Sequence, residues 1–405
     1  MTRRIHIDTI LETHRHASRR RFGAPFRSSL LVGGIAALSA CGSSSSGTEP
    51  PAADSGVDAG SSFQPSNISI ADVTKATPMA KDESVVSACM FVSDTTSPQT
   101  DCFTSPVEVV TQPDGSTVNL VVVSSLTISA NGAISATGNV PVVIVSLGDV
   151  SIAGTIDAAS SSSAGAGGAT EAQSNTAGLG TGKGSAGSTT LGGGGGSYCG
   201  AGGLGGGSTT AGMTYGGASI RPLVGGSSGG GGAVGSGDGG GAFQISAVGA
   251  LTFAAGSSLT VGGGGGPEGG VATGQTAGGG GSGGSILLEG MTVTIAGTLA
   301  ANGGGGGGDY SSNGGADATP NATPAAGGRA GSDGAAGGNG AAAATIAGGP
   351  GMAGTSLNAG GGGGGAGRIR INSTSGSATL SGTISPAATT SCTTQGVLLT
   401  NAEGP

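Results

Sequence analysis

A nine-residue phrase recurs along this chain with long glycine tracts between its copies, and that combination constrains the fold more than any other feature. The copies are "VSIAGTIDA" from Val150, "VTIAGTLAA" from Val293 and, more loosely, "ATLSGTISP" from Ala378. At alternate residues the first copy gives Val150, Ile152, Gly154, Ile156 and Ala158, with small or polar residues between them. That alternation is the pattern of a β-strand with one buried face. Two further copies, "LTISANGAISA" from Leu126 and "LTFAAGSSLTV" from Leu251, are each two residues longer. Two is the smallest insertion that keeps the same face buried, so Ala130 and Ala255 are expected to point inward with the rest of the alternating set.

A short apolar strand precedes each copy: "LVVV" at Leu120, "VVIV" at Val142, "FQI" at Phe243, "ILL" at Ile286 and "IRI" at Ile369. A unit of strand, turn, strand, bend, strand cannot bury its apolar face alone, so the units must stack. The expected fold class is all-β: a right-handed parallel β-helix, or β-solenoid, of about five coils with long glycine-rich insertions. The stem is expected over 118–390, between an N-terminal β cap (68–117) and a C-terminal cap or tail (391–405). The insertions, 160–241, 262–284 and 303–367, each follow the third strand of a unit. Glycine costs roughly 0.5 to 1 kcal/mol relative to alanine in ordered structure, so the default expectation is that these tracts are mobile. The alternative is that runs such as Gly303 to Gly308 pack as extended polyproline-II-like strands bonded to their neighbours, as glycine permits in collagen.

The N-terminus carries an address. Arg19, Arg20, Arg21 and Arg27, an apolar run from Leu30 to Leu38, and small residues after it form an export signal over 1–40. The run is too short to span a bilayer. It ends in Leu38-Ser39-Ala40-Cys41, which resembles the bacterial lipobox. In that lipoprotein family the cysteine is diacylated and becomes the first residue after cleavage, so the resemblance implies lipidation at Cys41. The membrane is then a partner through the lipid anchor, and Gly42 in place of an aspartate implies the outer membrane. Ser18-Arg19-Arg20-Arg21-Phe22 also resembles the core of a twin-arginine signal, with ordinary secretion left open beside it. Residues 41–67, rich in Ser, Gly and Pro, read as a flexible tether.

With Cys41 set aside, Cys89, Cys102, Cys199 and Cys392 remain, and an even number in an exported chain suggests two disulfides. Cys89 and Cys102 are close in sequence, which leaves Cys199 and Cys392 to pair by elimination. From about Ser160 to Gly367 the composition is similar to that of the PE-PGRS glycine-rich surface proteins. The N-terminal module that defines that family is missing, so none of its residue roles is carried over.

The chain carries few of the residue patterns that support catalysis or metal binding. All three histidines, His6, His14 and His16, lie in the signal, which excludes histidine-assisted nucleophiles and the usual zinc sites from the exported chain. No catalytic residue, metal site or cofactor is expected. "GSGDGGGAF" around Asp238 and "GGRAGSDGA" around Asp333 approach a calcium-binding nonapeptide but fail in spacing, so they read as solvated loop aspartates. Arg221, Arg329, Arg368 and Arg370 are the cations available to an acidic-sugar enzyme, with Arg368 and Arg370 reading as a surface pair. Asp149 and Asp157 are the stem carboxylates close in sequence, and neither shows a catalytic partner. Residues 1–40 hold 7 of the 14 basic and 2 of the 22 acidic side chains, leaving 7 against 20, a net of −13, from Cys41 onward. That charge excludes phosphate-backbone binding, so nucleic acid is not an expected partner.

Three functional classes remain. The first is a lipid-anchored structural or adhesive surface protein without catalysis, with envelope or extracellular polysaccharide or other surface proteins as partners. The second is an exported carbohydrate-active enzyme. The third, a face that binds ice or another regular lattice, ranks last, because outward Thr127, Thr155, Thr292, Thr294 and Thr298 do not form a uniform array in the sequence.

Overall fold

The structure, a computed structural model, describes residues 63–399 except 162, 271–274, 310–312, 332–333 and 355–357. The export signal and Cys41 lie outside the described residues, as does Asp333.

A short helix α1 (Ile70–Ala76) opens the described chain, and Ser69 caps it by accepting the Asp72 N–H. Four strands follow: β1 (Asp82–Val85), β2 (Ala88–Ser93), β3 (Gln99–Thr100) and β4 (Val107–Thr111). The first repeat unit is β5 (Thr117–Val123), β6 (Ser125–Ile128) and β7 (Ala133–Gly138), and the second is β8 (Val142–Ser146), β9 (Val150–Ile152) and β10 (Thr155–Asp157). The third is β11 (Ala242–Ala247), β12 (Ala250–Phe253) and β13 (Ser258–Thr260); the fourth is β14 (Ser285–Gly290), β15 (Thr292–Ile295) and β16 (Thr298–Ala300). The fifth is β17 (Arg368–Ser373), β18 (Thr379–Leu380) and β19 (Thr383–Ser385), and β20 (Thr393–Val397) comes last.

The fold is all-β, with parallel pairing dominant. One sheet runs β1-β6-β9-β12-β15-β18, a second β3-β2-β7-β10-β13-β16-β19, and a third β4-β5-β8-β11-β14-β17-β20. Each unit therefore gives one strand to each sheet. Among the described strands, β2 with β3 and β4 with β5 are the antiparallel pairs. Register stacks like upon like: Val121, Ile144, Ile245, Leu288 and Ile371 form one column. Ile128, Ile152, Phe253, Ile295 and Leu380 form a second, and Ile134, Ile156, Leu259, Leu299 and Ile384 a third. These columns meet in one apolar core. Each fully buried side chain of this size stabilises by about 1.5 to 3 kcal/mol over its exposed state.

The two-residue insertions do not keep all their alternate residues inside. Ala130 and Ala255 are exposed, contrary to expectation. The extra residues loop out as turns closed by Gly132 N–H to Ser129 O and Ser257 N–H to Ala254 O, so the strands resume in phase. In the shorter copies a glycine makes the same bend: a Cβ on Gly154 would overlap the Gly132 and Ser129 carbonyl oxygens.

The glycine tracts overturn the expectation of mobility. Their ends close on the same corner of successive units, with Gly241 N–H donating to Ala158 O, Gly284 to Val261 and Gly367 to Ala301. Between those necks the glycine-rich runs 192–196, 229–232, 278–284, 303–308 and 360–367 are buried and bonded from tract to tract. Along 359–367, Gly361, Gly364 and Gly367 donate to Gly307, Gly304 and Ala301, whereas Gly360, Gly363 and Ala366 donate to Met352, Gly349 and Ile346. Gly362 and Gly365 donate to Gly193 and Gly196. Three residues thus address three neighbours in rotation, the period of a polyproline-II helix. The same segment accepts from Gly203, Gly280 and Gly338, so it is ringed by extended chain. Such a segment has no direction left for a side chain, and Gly360 to Gly365 is unbroken glycine. On the rim, 346–352 aims its inward amides at Ala201, Leu204, Asn339 and Ala336, and Pro350, which has no N–H to offer, is exposed.

Three other segments take defined positions. The last residues of the supposed tether are docked, with Ser66 and Asn67 buried. The N-terminal cap contains a helix, and its β1 and β2 extend two sheets in parallel. The segment read as a C-terminal cap or tail supplies β20, which pairs in parallel with β17.

Candidate functional site

Strand alternation places every second side chain of the first two sheets on the outside, and parallel register turns those side chains into columns. On the first sheet Ser84, Thr127, Ser151, Thr252, Thr294 and Thr379 are consecutive partners across six strands. On the second, Thr155, Ser258, Thr298 and Thr383 continue a column that begins with Ala88 and Ala133. The outward threonines therefore do line up, contrary to the reading from sequence spacing. Ser at 84, 151 and 258 completes the rows, and a search for threonine alone misses them. Thr292 stands apart, in the neighbouring column with Ala250. Adjacent strands lie about 4.7 to 4.9 Å apart, which sets the hydroxyl repeat.

All ten of these hydroxyl residues are exposed or half-exposed, and among the described residues none has a hydrogen-bond partner inside the chain for its hydroxyl. Ala153, Ala254 and Ala296, each one residue past its strand, occupy the bend between the two columns. Charge lies to either side of the columns: Asp82 accepts the Ser125 hydroxyl and Asp149 accepts the Ala250 N–H beside the first, and exposed Asp157 stands two residues from Thr155 on the outward face of β10.

The third sheet is covered instead. Ile68, Ala76, Ile220 and Leu223 pack over Leu120, Val122, Val143 and Leu287 on its outer side. Beyond them lies a buried carboxylate, Glu289. It accepts from Ser66 N at 3.0 Å, Ser66 Oγ at 2.6 Å, Ser246 Oγ at 2.8 Å, Gln244 Nε2 at 3.2 Å and Asn372 Nδ2 at 3.0 Å. This network, absent from the sequence reading, ties the segment before α1 across β11, β14 and β17. Arg221 Nε adds a bond to the Ser66 carbonyl.

The other sequence candidates take structural positions. Disulfides join Cys89 to Cys102 and Cys199 to Cys392. Beside Cys199, the rings of Tyr198 and Tyr215 lie 4.5 Å apart, and burial pushes the Tyr198 phenol up to about 12. Arg368 and Arg370 are half-exposed on β17 and hydrogen-bonded: Arg368 Nη1 donates to Ser391 O, and Arg370 donates to Asn372 Oδ1 and Gln395 O, which fastens β20. Asp149 is occupied by the Ala250 amide, and Asp157, raised by burial, accepts the Ala159 N–H. Asp238 is not a fully solvated loop aspartate. Burial, with Glu171 nearby, raises it to about 6, and its Oδ1 and Ser160 Oγ are buried without partners. Arg329 belongs to 325–331, on the rim of the glycine bundle.

Among the described residues, the one group of three metal-ligand types within mutual reach is Cys89, Asp101 and Cys102. Its two sulfurs are bonded to each other, which removes both as ligands. No described helix is long and apolar enough to cross a membrane. Comparisons of the chain with protein families, with curated proteins and with solved structures find no match.

Proposed function

We propose that this chain is a lipid-anchored, glycine-rich protein of the bacterial outer membrane, structural or adhesive and not catalytic. Its stem is a right-handed parallel β-helix of about five coils, the hand following from the right-handed crossover preference of parallel strands. Acylated Cys41 holds it to the membrane, since two acyl chains with an acylated amine give stable anchoring at about 0.8 kcal/mol per buried methylene. It stands on the cell surface or the periplasmic face. Its partners are envelope or extracellular polysaccharide or other surface proteins, and the acidic exported chain leaves nucleic acid out.

The observation that carries this reading is how the chain uses its polar groups. The glycine amides and carbonyls bond one another, and the buried Glu289 carboxylate is consumed in tying chain segments together. That is the expenditure of a scaffold built for rigidity. The test is Cys41→Ser combined with protease treatment of intact cells. The proposal expects the wild type in the membrane fraction, accessible to protease, and the variant released. A wild type that carries no acyl group sinks the anchor, complete protection in intact cells sinks surface adhesion, and release of reducing sugars from a polysaccharide panel sinks the non-catalytic assignment.

A further inference from the structure

The outer sides of the first two sheets, which carry one hydroxyl column each to either side of a bend, are open, whereas the third sheet is covered by α1, the segment before it and residues 220–223. We propose that this surface binds ice, with the hydroxyl columns meeting a crystalline lattice of water. The inference goes beyond the envelope role and does not depend on the anchor.

Four properties lead to that occupant. The first is periodicity. Ser84, Thr127, Ser151, Thr252, Thr294 and Thr379 are fixed by consecutive register pairs, so their spacing is set by backbone hydrogen bonding and not by flexible loops. The second is chemistry. A hydroxyl donates one hydrogen bond and accepts two, so it can replace a water molecule in a hydrogen-bonded lattice in either role. Because no described group inside the chain uses these ten hydroxyls, all are available.

The third property is rigidity. Beneath the first column lie Leu126, Ile128, Val150, Ile152, Leu251, Phe253, Val293 and Ile295, and beneath the second Ile134, Ile156, Leu259 and Leu299, all buried. Threonine is stiff at χ1, and a surface already fixed in its binding geometry loses little freedom on contact. The fourth is what the columns lack. The column residues themselves carry no charge, the neighbouring Asp157 is a single carboxylate with no cation paired to it among the described residues, and there is no aromatic ring to stack on a sugar, the common apolar handle for amphipathic ligands. The residues in the bend between the columns, Ala153, Ala254 and Ala296, are small, so no bulky side chain stands between the two rows of hydroxyls.

The experiment measures thermal hysteresis and ice recrystallisation with the full-length protein purified in detergent, against a detergent blank. Thr252→Lys and Thr294→Lys interrupt the first column at its centre, and Val397→Lys on β20, an exposed position of the third sheet, is the control. Melting temperatures establish that each variant is folded. The expected result is faceted ice growth and hysteresis in the wild type and the Val397 variant, with loss of most of both in the two column variants. A folded wild type that leaves ice growth unchanged overturns the inference, including a wild type that binds insoluble neutral glycans instead. Hysteresis that survives both column substitutions in folded protein overturns the assignment to this face.

Discussion

A Cβ placed on Gly361 would overlap the carbonyl oxygen of Gly278, although the two residues come from different tracts 83 positions apart. The Gly361 N–H meanwhile donates to Gly307 at 2.9 Å, so the segment cannot shift without breaking a buried bond. Gly361→Ala should destabilise the protein by about 1 to 3 kcal/mol, the usual range for overpacking, or prevent folding. At Gly217 the nearest atom to an added Cβ is Ser219 Oγ at 3.8 Å, so Gly217→Ala should be almost silent. Chemical denaturation of the two variants makes the comparison. Equal midpoints would mean that the inner tracts are not packed as described.

The two disulfides should differ in weight. Cys89–Cys102 has a sequence separation of 13 and Cys199–Cys392 one of 193. By loop-closure entropy the longer one stabilises by up to about 5 kcal/mol and the shorter by about 3. Cys199→Ala with Cys392→Ala should therefore lower the melting temperature more than the other double substitution. Cys392 also lies one residue before β20, so its loss should raise amide exchange there.

Glu289 is 0% exposed with five donors aimed at it, and Glu289→Ala leaves those donors unsatisfied. A cost of about 3 kcal/mol is expected, since an orphaned buried polar group costs about 1 to 3 kcal/mol and some of these can rotate away. The local signature is faster amide exchange at Ser66 and Asn67. Unchanged protection at those amides would show that the apolar contacts of Ile68 hold the segment without the carboxylate.

Asp238 sets a pH dependence of defined sign. Its carboxyl is raised to about 6 in the folded chain, so the folded state holds a proton that the unfolded state has already released. The resulting stability is full below about pH 4, falls between about pH 4 and 6, and is lost above that. Burial raises Asp157 too, and so adds the same sign, whereas hydrogen bonds from Ser105 and Thr104 outweigh burial at Glu83 and lower it. The difference between wild type and Asp238→Asn isolates one group. The variant should melt higher than wild type above pH 6 and converge with it near pH 4. A gap independent of pH would contradict the assignment.

What the sequence disclosed follows from what alternation can encode. Val150, Ile152 and Ile156 sit inside because period two fixes a face, and parity carries that face across insertions, so five units and three sheets are readable from spacing. Ala130 and Ala255 escaped because parity says where a strand resumes and not how the chain gets there. The glycine tracts escaped for a different reason. A run such as Gly360 to Gly365 has no side-chain pattern, and its order comes from neighbours more than a hundred residues away, such as Gly193 and Gly203. Glu289 gave no signal either, since its donors Ser66, Gln244 and Asn372 converge only after the units stack. The hydroxyl columns were half legible: outward threonines could be identified, but their alignment required the register.

Amide hydrogen exchange, read at single glycines, tests the central claim that the tracts form a bonded interior. Buried, bonded amides at Gly279 to Gly281, Gly303 to Gly307 and Gly360 to Gly365 should exchange as slowly as those of β11 and β14, and far more slowly than the exposed turn at Ala255 and Gly256. Complete exchange of all three runs within the dead time, while the strands stay protected, would mean the tracts are loops and the account of the bundle is wrong.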